Sequence, residues 1–355
     1  MHFNEYRPKR VTVIKRRDTA RDGTDSDARL SGTMVIECIP ETYLHVGTGK
    51  LKLFIAPQVF DRVRKEREFS RIVNYMRGKP YLVKYDYAEL VRFAGKLCIP
   101  GSTVKGMCRS RIELLAISRD ENVNFCFRFS SRTPPKEISK GEKGWRHFRI
   151  WASATWEDRI SQCNPLKEGN VCRTCDLFGA PGLTSRVFFG DLYSEEDIVI
   201  SMELDHEEKI EAIPPGSSFR GEISFMCLRP EELGLILIGL GAKRDGSFAR
   251  VLLGRSKYRE RIVVECPGKP ELKNQKVRFG VVRFSLLNLR ITEGYELLNL
   301  PPDRIEHLVR IYSSTTKLTD LVRNLVKNAI DKYPEIRPDF SEVDELERRN
   351  LYGGG

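Results

Sequence analysis

The stretch Leu97-Cys98-Ile99-Pro100-Gly101-Ser102-Thr103-Val104-Lys105-Gly106-Met107-Cys108-Arg109 constrains the fold more than any other. Three apolar residues run into Pro-Gly, so a buried strand is expected to stop at Ile99 and turn. Ser102 or Thr103 then offers an N-cap. Beyond it Val104, Met107, Cys108, Ile112 and Leu115 recur at helical spacing and would face a core. Lys105 and Arg109 sit four apart on another face. A strand that feeds a helix through a glycine turn aims free N–H groups along the positive end of the helix dipole, which suits a phosphate. Ser102, Thr103, Lys105 and Arg109 are therefore candidate anion contacts.

The chain has 355 residues and a net charge of +11, so an acidic partner is expected, nucleic acid first. Its length allows one large domain or two ordinary ones. No apolar run approaches the roughly 18 residues that span a bilayer, and Met1-His2-Phe3-Asn4-Glu5 opens a polar segment rather than a signal peptide. A cytoplasmic protein with reduced thiols and no membrane partner is expected. Among its nine cysteines, Cys172-Arg173-Thr174-Cys175 forms a C-x2-C pair suited to chelating one tetrahedral zinc. Cys163 is the natural third ligand. His147 is chosen as the fourth, with Cys126 in reserve.

The remaining organisation is coarser. Residues 1–32 read as a basic mobile arm, and 57–78 as a charged helical insertion with a basic face. Residues 118–162 interleave Arg128, Arg132, Lys136, Lys140, Lys143, Arg146 and Arg149 with Phe125, Phe127, Phe129, Trp145, Phe148, Trp151 and Trp156. Cations that neutralise phosphates beside rings that stack on bases suit a single strand. Leu318, Leu321, Val322, Leu325, Val326, Ala329 and Ile330 make an apolar helical stripe in a C-terminal segment, 291–334. Residues 335–355 read as a loose tail.

The run IPGSTVKGMCRSRIE resembles the signature of the RAMP superfamily of CRISPR-associated proteins, an Ile-Pro-Gly-Ser/Thr-x-Lys-Gly turn entering a helix with an arginine. Two more elements are similar: Leu44-His45-Val46-Gly47-Thr48-Gly49 upstream, and Cys172-x-x-Cys175-x-Leu177-Phe178-Gly179 downstream. The glycine-containing basic loop after the Glu231 helix also resembles the superfamily's. The resemblance covers roughly residues 33–290. It implies an α+β fold on a ferredoxin-like (RRM-like) core, β-α-β-β-α-β, with helical and thumb-like hairpin insertions at 57–78 and 118–176.

The function so implied is RNA binding in a type III CRISPR effector complex, alongside other effector subunits. The protein would hold the guide RNA (crRNA) backbone, and sequence would be read by base pairing. His45, Gly47, Lys243, Arg244 and Arg255 join the Ser102–Arg109 residues as implied RNA contacts, with Gly241, Gly246 and Gly254 letting the chain approach phosphates. The resemblance also implies structural zinc at the cysteines. Backbone subunits cut target RNA with a loop aspartate, for which Asp86 is the nearest match and Asp61 the second choice, served by a divalent cation such as Mg. Tyr87-Ala88-Glu89 stand where the family has glycines and an Asn-Pro pair, which favours the alternative of a non-cutting end-cap subunit. A stand-alone zinc-stabilised RNA hydrolase would need an acid/base pair, and none is evident.

Overall fold

The computed structural model describes residues 8–16, 29–77, 79, 82–127, 138–140, 142, 144–159, 163–205, 208–259, 261–266 and 269–352; at 51–55, 83–87 and 349–352 it describes the backbone alone. Alternating burial along the chain gives β1 (Leu30–Pro40). There follow β2 (Gly47–Ile55), α1 (Pro57–Lys65), α2 (Phe69–Met76), β3 (Val83–Leu90), β4 (Lys96–Ile99) and α3 (Gly101–Leu115). The middle of the chain supplies α4 (Trp145–Thr155), α5 (Arg173–Phe178), β5 (Val187–Phe189), β6 (Leu192–Ser194), β7 (Ile200–Leu204) and β8 (Glu208–Ala212). Then come β9 (Phe219–Leu228), α6 (Pro230–Gly239), β10 (Arg250–Leu252), β11 (Ile262–Glu265), β12 (Gln275–Val277) and β13 (Val281–Glu293). β14 (Val309–Tyr312), α7 (Thr315–Lys332) and α8 (Glu342–Tyr352) complete it.

The fold is α+β. In the larger sheet the central order is β13-β1-β9-β6, antiparallel throughout, with β4 beyond β6. Followed along the chain, β1, α3, β5/β6, β9, α6 and β13 trace a β-α-β-β-α-β path, and the strand order is that of a split βαβ unit. α6 is buried along most of its length and packs between α3 and α7. One large core joins the sheet to these helices, and β1 feeds it from alternate positions, Met34, Ile36 and Cys38. A second, six-stranded sheet runs β12-β11-β7-β8-β3-β2 over its own apolar cluster of Met202, Leu204, Ile210, Ile262, Val264 and Phe279. Its strands come from three separate stretches of chain.

Several expectations change. The 57–78 insertion is two short helices, closed over Ala56, Val59 and Leu82. Residues 8–16 of the expected mobile arm are paired: Lys9–Arg10 with Glu157–Asp158, and Thr12–Val13 with Asn122–Val123. Around 118–162, Trp145–Thr155 is helix rather than hairpin. Arg128, Phe129, Arg132, Lys136 and Lys143 lie outside the described residues. The stripe on α7 is core, as its spacing predicts. The expected loose tail instead contains α8, with Val343 and Leu346 buried. Among the described residues no helix is long and apolar enough to cross a membrane.

Asp303 fixes the start of α7. Its carboxylate accepts the Ser313 and Ser314 N–H groups, each at 2.7 Å, and pairs with Lys317 at 2.9 Å. These backbone hydrogen bonds, then Lys317, hold it down to about 2. A carboxyl depressed in the folded state contributes stability above its unfolded value of about 3.9, and that stability is lost as pH falls toward 2. Asp303→Asn is therefore expected to flatten the acid limb of a stability-against-pH curve between about pH 4 and 2, with denaturant unfolding as the measurement.

Candidate nucleic-acid interface and cysteine centre

β4 ends at Ile99 and α3 opens at Gly101, so the strand–turn–helix junction forms as the sequence predicts. The cap differs. Pro100, not Ser102 or Thr103, is the N-cap, and its carbonyl accepts the Thr103 N–H at 2.9 Å. Ser102 is exposed and Thr103 half-buried. The Gly101 N–H donates to Asp191 Oδ1 at 2.8 Å. A carboxylate of the chain itself thus faces this helix N-terminus, where a phosphate was expected. The glycine answers to packing as well. A Cβ on Gly101 would stand 2.1 Å from the Phe189 carbonyl oxygen and 2.6 Å from that of Gly190, both backbone atoms. Gly101→Ala is expected to lower stability by about 2–3 kcal/mol through this overpacking, measurable by denaturant unfolding.

The two cations expected to meet phosphate part company. Lys105 is half-buried and donates to the Val187 carbonyl at 3.3 Å. Arg109 is only 7% exposed. Its Nε donates to Glu113 at 2.8 Å, one terminal nitrogen to the Gly179 carbonyl at 2.8 Å, and the other to Cys175 Sγ at 3.1 Å. Arg109 is therefore an internal tie between α3 and the cysteine region, and the expectation of an exposed phosphate contact is corrected.

Cys126, Cys163, Cys172 and Cys175 are all buried, and their sulfurs lie within 4.8 Å of one another. Cys126 Sγ is 3.4 Å from Cys172 Sγ and 3.6 Å from Cys175 Sγ. All four are free thiols. Four sulfurs bound at about 2.3 Å to one tetrahedral ion stand about 3.8 Å apart, so the set fits such an ion. Cys172 precedes α5 and Cys175 lies in its first turn, which aims both sulfurs to one side. Backbone N–H groups support them: Cys172 N–H donates to Cys163 Sγ at 3.0 Å, and Cys126 N–H to Cys172 Sγ at 3.4 Å.

His147 is not in this group. Its ring stands edge-on to Tyr258 with centroids 5.1 Å apart, and burial, aided by nearby Lys257, pushes it down to about 4. Helix α4 carries it into that apolar contact, so Cys126 replaces it as the fourth donor.

A third arrangement lies where the two sheets meet. His45, Val46, Gly47, Gly49, Lys50, Ala88, Gly254 and Arg255 line a cleft of about 290 Å³. His45 is buried and its Nδ1 is 2.7 Å from the Glu211 carbonyl oxygen. That oxygen only accepts, so Nδ1 carries the proton. Burial, and then Arg255, lower the pKa of His45, so the ring is neutral at pH 7. The Arg255 N–H donates to the His45 carbonyl at 2.9 Å. At Gly254, with φ +81°, a Cβ would stand 2.6 Å from that carbonyl oxygen. The guanidinium of Arg255 is half exposed and sits 2.6 Å from Glu208. Lys50 is exposed at the same cleft.

The RAMP superfamily model matches residues 40–350. The chain belongs to the RAMP superfamily of CRISPR-associated proteins. The match extends past the expected limit near residue 290 and takes in α7 and α8. No curated protein matches the sequence. Among solved structures, the crystal structure of Csc2 from Thermofilum pendens is similar, at 14% identity and a TM-score of 0.34, over 92% of this chain and 91% of that one.

In this RAMP protein the other expected contacts lie apart from the cleft. Arg244 pairs with Asp339 at 2.7 Å and lines a different pocket with Arg119 and Arg337. Lys243 belongs to the same turn, closed by its N–H to the Ser247 carbonyl at 2.8 Å. That turn lies against α7: a Cβ on Gly246 would stand 2.5 Å from the Thr319 carbonyl oxygen. The close approaches that Gly246 and Gly254 permit are to the chain itself, to Thr319 and His45. Asp86 lies inside β3, not in a loop. The β2–β3 register slips there, between Leu51↔Ala88 and Leu53↔Tyr85. Its side chain lies outside the described residues. In the sequence Lys50 is marked only by its position directly after Gly47-Thr48-Gly49.

Proposed function

We propose that this RAMP protein is an RNA-binding subunit of a type III CRISPR effector ribonucleoprotein, holding guide RNA by its backbone. One observation carries the reading: the start of β2 at Gly47–Lys50 and the Gly254–Arg255 loop, some two hundred residues apart, converge on one cleft with two cations at its rim. Cations with glycine-rich backbone meet phosphates without reading bases. His45 serves as the neutral strut between the two segments. The excess of Lys and Arg over Asp and Glu supports the same partner.

The four cysteines hold structural zinc on this reading. An all-sulfur, buried, tetrahedral set is the donor chemistry zinc takes, and four protein ligands leave no position open for catalysis. The paired backbone around Asp86 favours the end-capping, non-cutting role over metal-assisted target cutting by that residue. The test is filter binding of guide RNA across salt concentrations, followed by target cutting in the reconstituted complex with Asp86→Ala. Guide binding that falls steeply with salt, together with unchanged cut sites, supports the reading. Salt-independent or absent binding overturns it, and loss of a set of cuts assigns the cutting role instead.

A further inference from the structure

We propose that the N-terminal segment, residues 8–16, is a built part of the cysteine centre: a strap whose docking and metal occupancy stabilise each other, with Arg109 held against one of the sulfurs. This rests on the reading that the four cysteines hold a metal.

The four sulfurs come from three stretches of chain, and the strap pairs with each of them. Lys9–Arg10 runs parallel to Glu157–Asp158, shortly before Cys163. Thr12–Val13 runs parallel to Asn122–Val123, shortly before Cys126. Arg16 bridges to Val171, next to Cys172. The pairing is well made: Thr12 N–H donates to the Glu121 carbonyl at 2.7 Å, Ile14 N–H to Val123 at 2.8 Å, and Arg16 N–H to Val171 at 3.0 Å. One nine-residue segment thus stitches together the three pieces that must converge for the sulfurs to meet. An ion held by the four sulfurs would link the same three pieces. Two cross-links that fix the same segments share the ordering entropy, so each favours the other.

The charges agree. Four thiolates around a divalent ion carry a net charge of −2, and burying that uncompensated is costly. Arg109 reaches Cys175 Sγ at 3.1 Å from α3. Lys15 comes from the strap, between Ile14, which bonds Val123, and Arg16, which bonds Val171 next to Cys172. Each cation also meets a carboxylate, Arg109 with Glu113 at 2.8 Å and Lys15 with Glu168 at 2.5 Å. Glu113 fixes Arg109 in place beside the sulfur, as outer partners of metal ligands commonly do.

The test uses the full chain loaded with cobalt, whose thiolate charge-transfer band reports the centre, and measures zinc affinity by competition with a chromophoric chelator. Thr12→Pro removes the strap's N–H to Glu121 without touching a ligand. Zinc affinity is expected to fall about tenfold in Thr12→Pro, and to fall in Lys15→Ala and Arg109→Gln as well. Lys15→Ala changes one half-buried surface charge and keeps the test decisive where Thr12→Pro fails to fold. In the reverse direction, chelation is expected to speed hydrogen exchange at the Thr12 and Ile14 amides. A normal cobalt band with affinities within about twofold of wild type in the strap variants, or exchange at Thr12 and Ile14 unmoved by chelation, overturns the coupling and leaves the metal centre standing. Absence of the cobalt band in wild type removes the centre and the coupling with it.

Discussion

Replacing Lys50 and Arg255 together by alanine is expected to weaken guide RNA binding by about 10- to 100-fold near physiological salt, and to lower the slope of log affinity against log salt by about 1.4, since each single-strand phosphate neutralised contributes about 0.7. The slope separates an RNA contact from a folding defect. A misfolded chain loses active fraction at every salt concentration alike, whereas a chain missing two phosphate contacts loses least at high salt. Alanine is preferred to glutamate because Arg255 already sits 2.6 Å from Glu208, and a new carboxylate there would repel it. Removing Arg255 leaves Glu208 without that partner, but Glu208 is about a third exposed, so water satisfies it at small cost. An unchanged slope would show that phosphates do not enter this cleft.

The same comparison exposes how a tempting experiment would mislead. Reversing Lys105 and Arg109 looks from sequence like the natural test of phosphate binding. Arg109→Glu would place a carboxylate beside Glu113 and the Cys175 sulfur in a buried site, at a cost of several kcal/mol. Lost RNA binding in that variant would report a damaged fold.

This is also where legibility ran out. The Pro-Gly turn, the apolar spacing of α3 and the stripe of α7 are local signals, and each formed where its pattern placed it. Arg109 was misplaced because α3 is packed on nearly every side: Arg109, Arg111 and Glu113 are buried along with Val104 and Ile112. The exposed positions of α3, Ser102, Gly106 and Ser110, form a narrow line with no charged residue, so nothing in the spacing marks Arg109 as buried. Cys126 stood behind His147 for a different reason. It lies 37 positions before Cys163 in the sequence, and nothing local says that the segment after Asn122–Val123 folds back to Cys172. That closure depends on pairing with residues near the N-terminus, whose Thr12-Val13 run is too short to announce a partner. The second sheet was invisible on similar grounds, since its six strands are drawn from three stretches that only tertiary pairing unites.

Cys172→Ser is expected to produce the largest loss of stability among single substitutions in this chain. The Cys172 sulfur stands 3.4 Å from Cys126 Sγ and accepts the Cys126 N–H. Serine keeps the size roughly but is a poor zinc ligand, so the substitution removes one of four metal bonds and leaves a buried hydroxyl among sulfurs. Structural zinc contributes its binding free energy to folding directly, about 10–16 kcal/mol in small zinc peptides. Loss of a third of that, about 3–5 kcal/mol, is comparable with the whole stability of a marginal domain. Chelation of the wild type should reproduce the effect, and zinc should restore the wild type while leaving Cys172→Ser unfolded. Acid should act in the same direction, because thiols must lose their protons to bind zinc, so zinc release is expected as pH falls. Thermal unfolding with and without chelator is the measurement. Equal melting curves for wild type, chelated wild type and Cys172→Ser would mean that the four cysteines are packed thiols, and the assignment of zinc would fall. A wild type that melts lower on chelation, beside a Cys172→Ser that does not respond to it, would fix the metal at this centre. It would also tie α3 to the metal centre through Arg109, which reaches Cys175 Sγ.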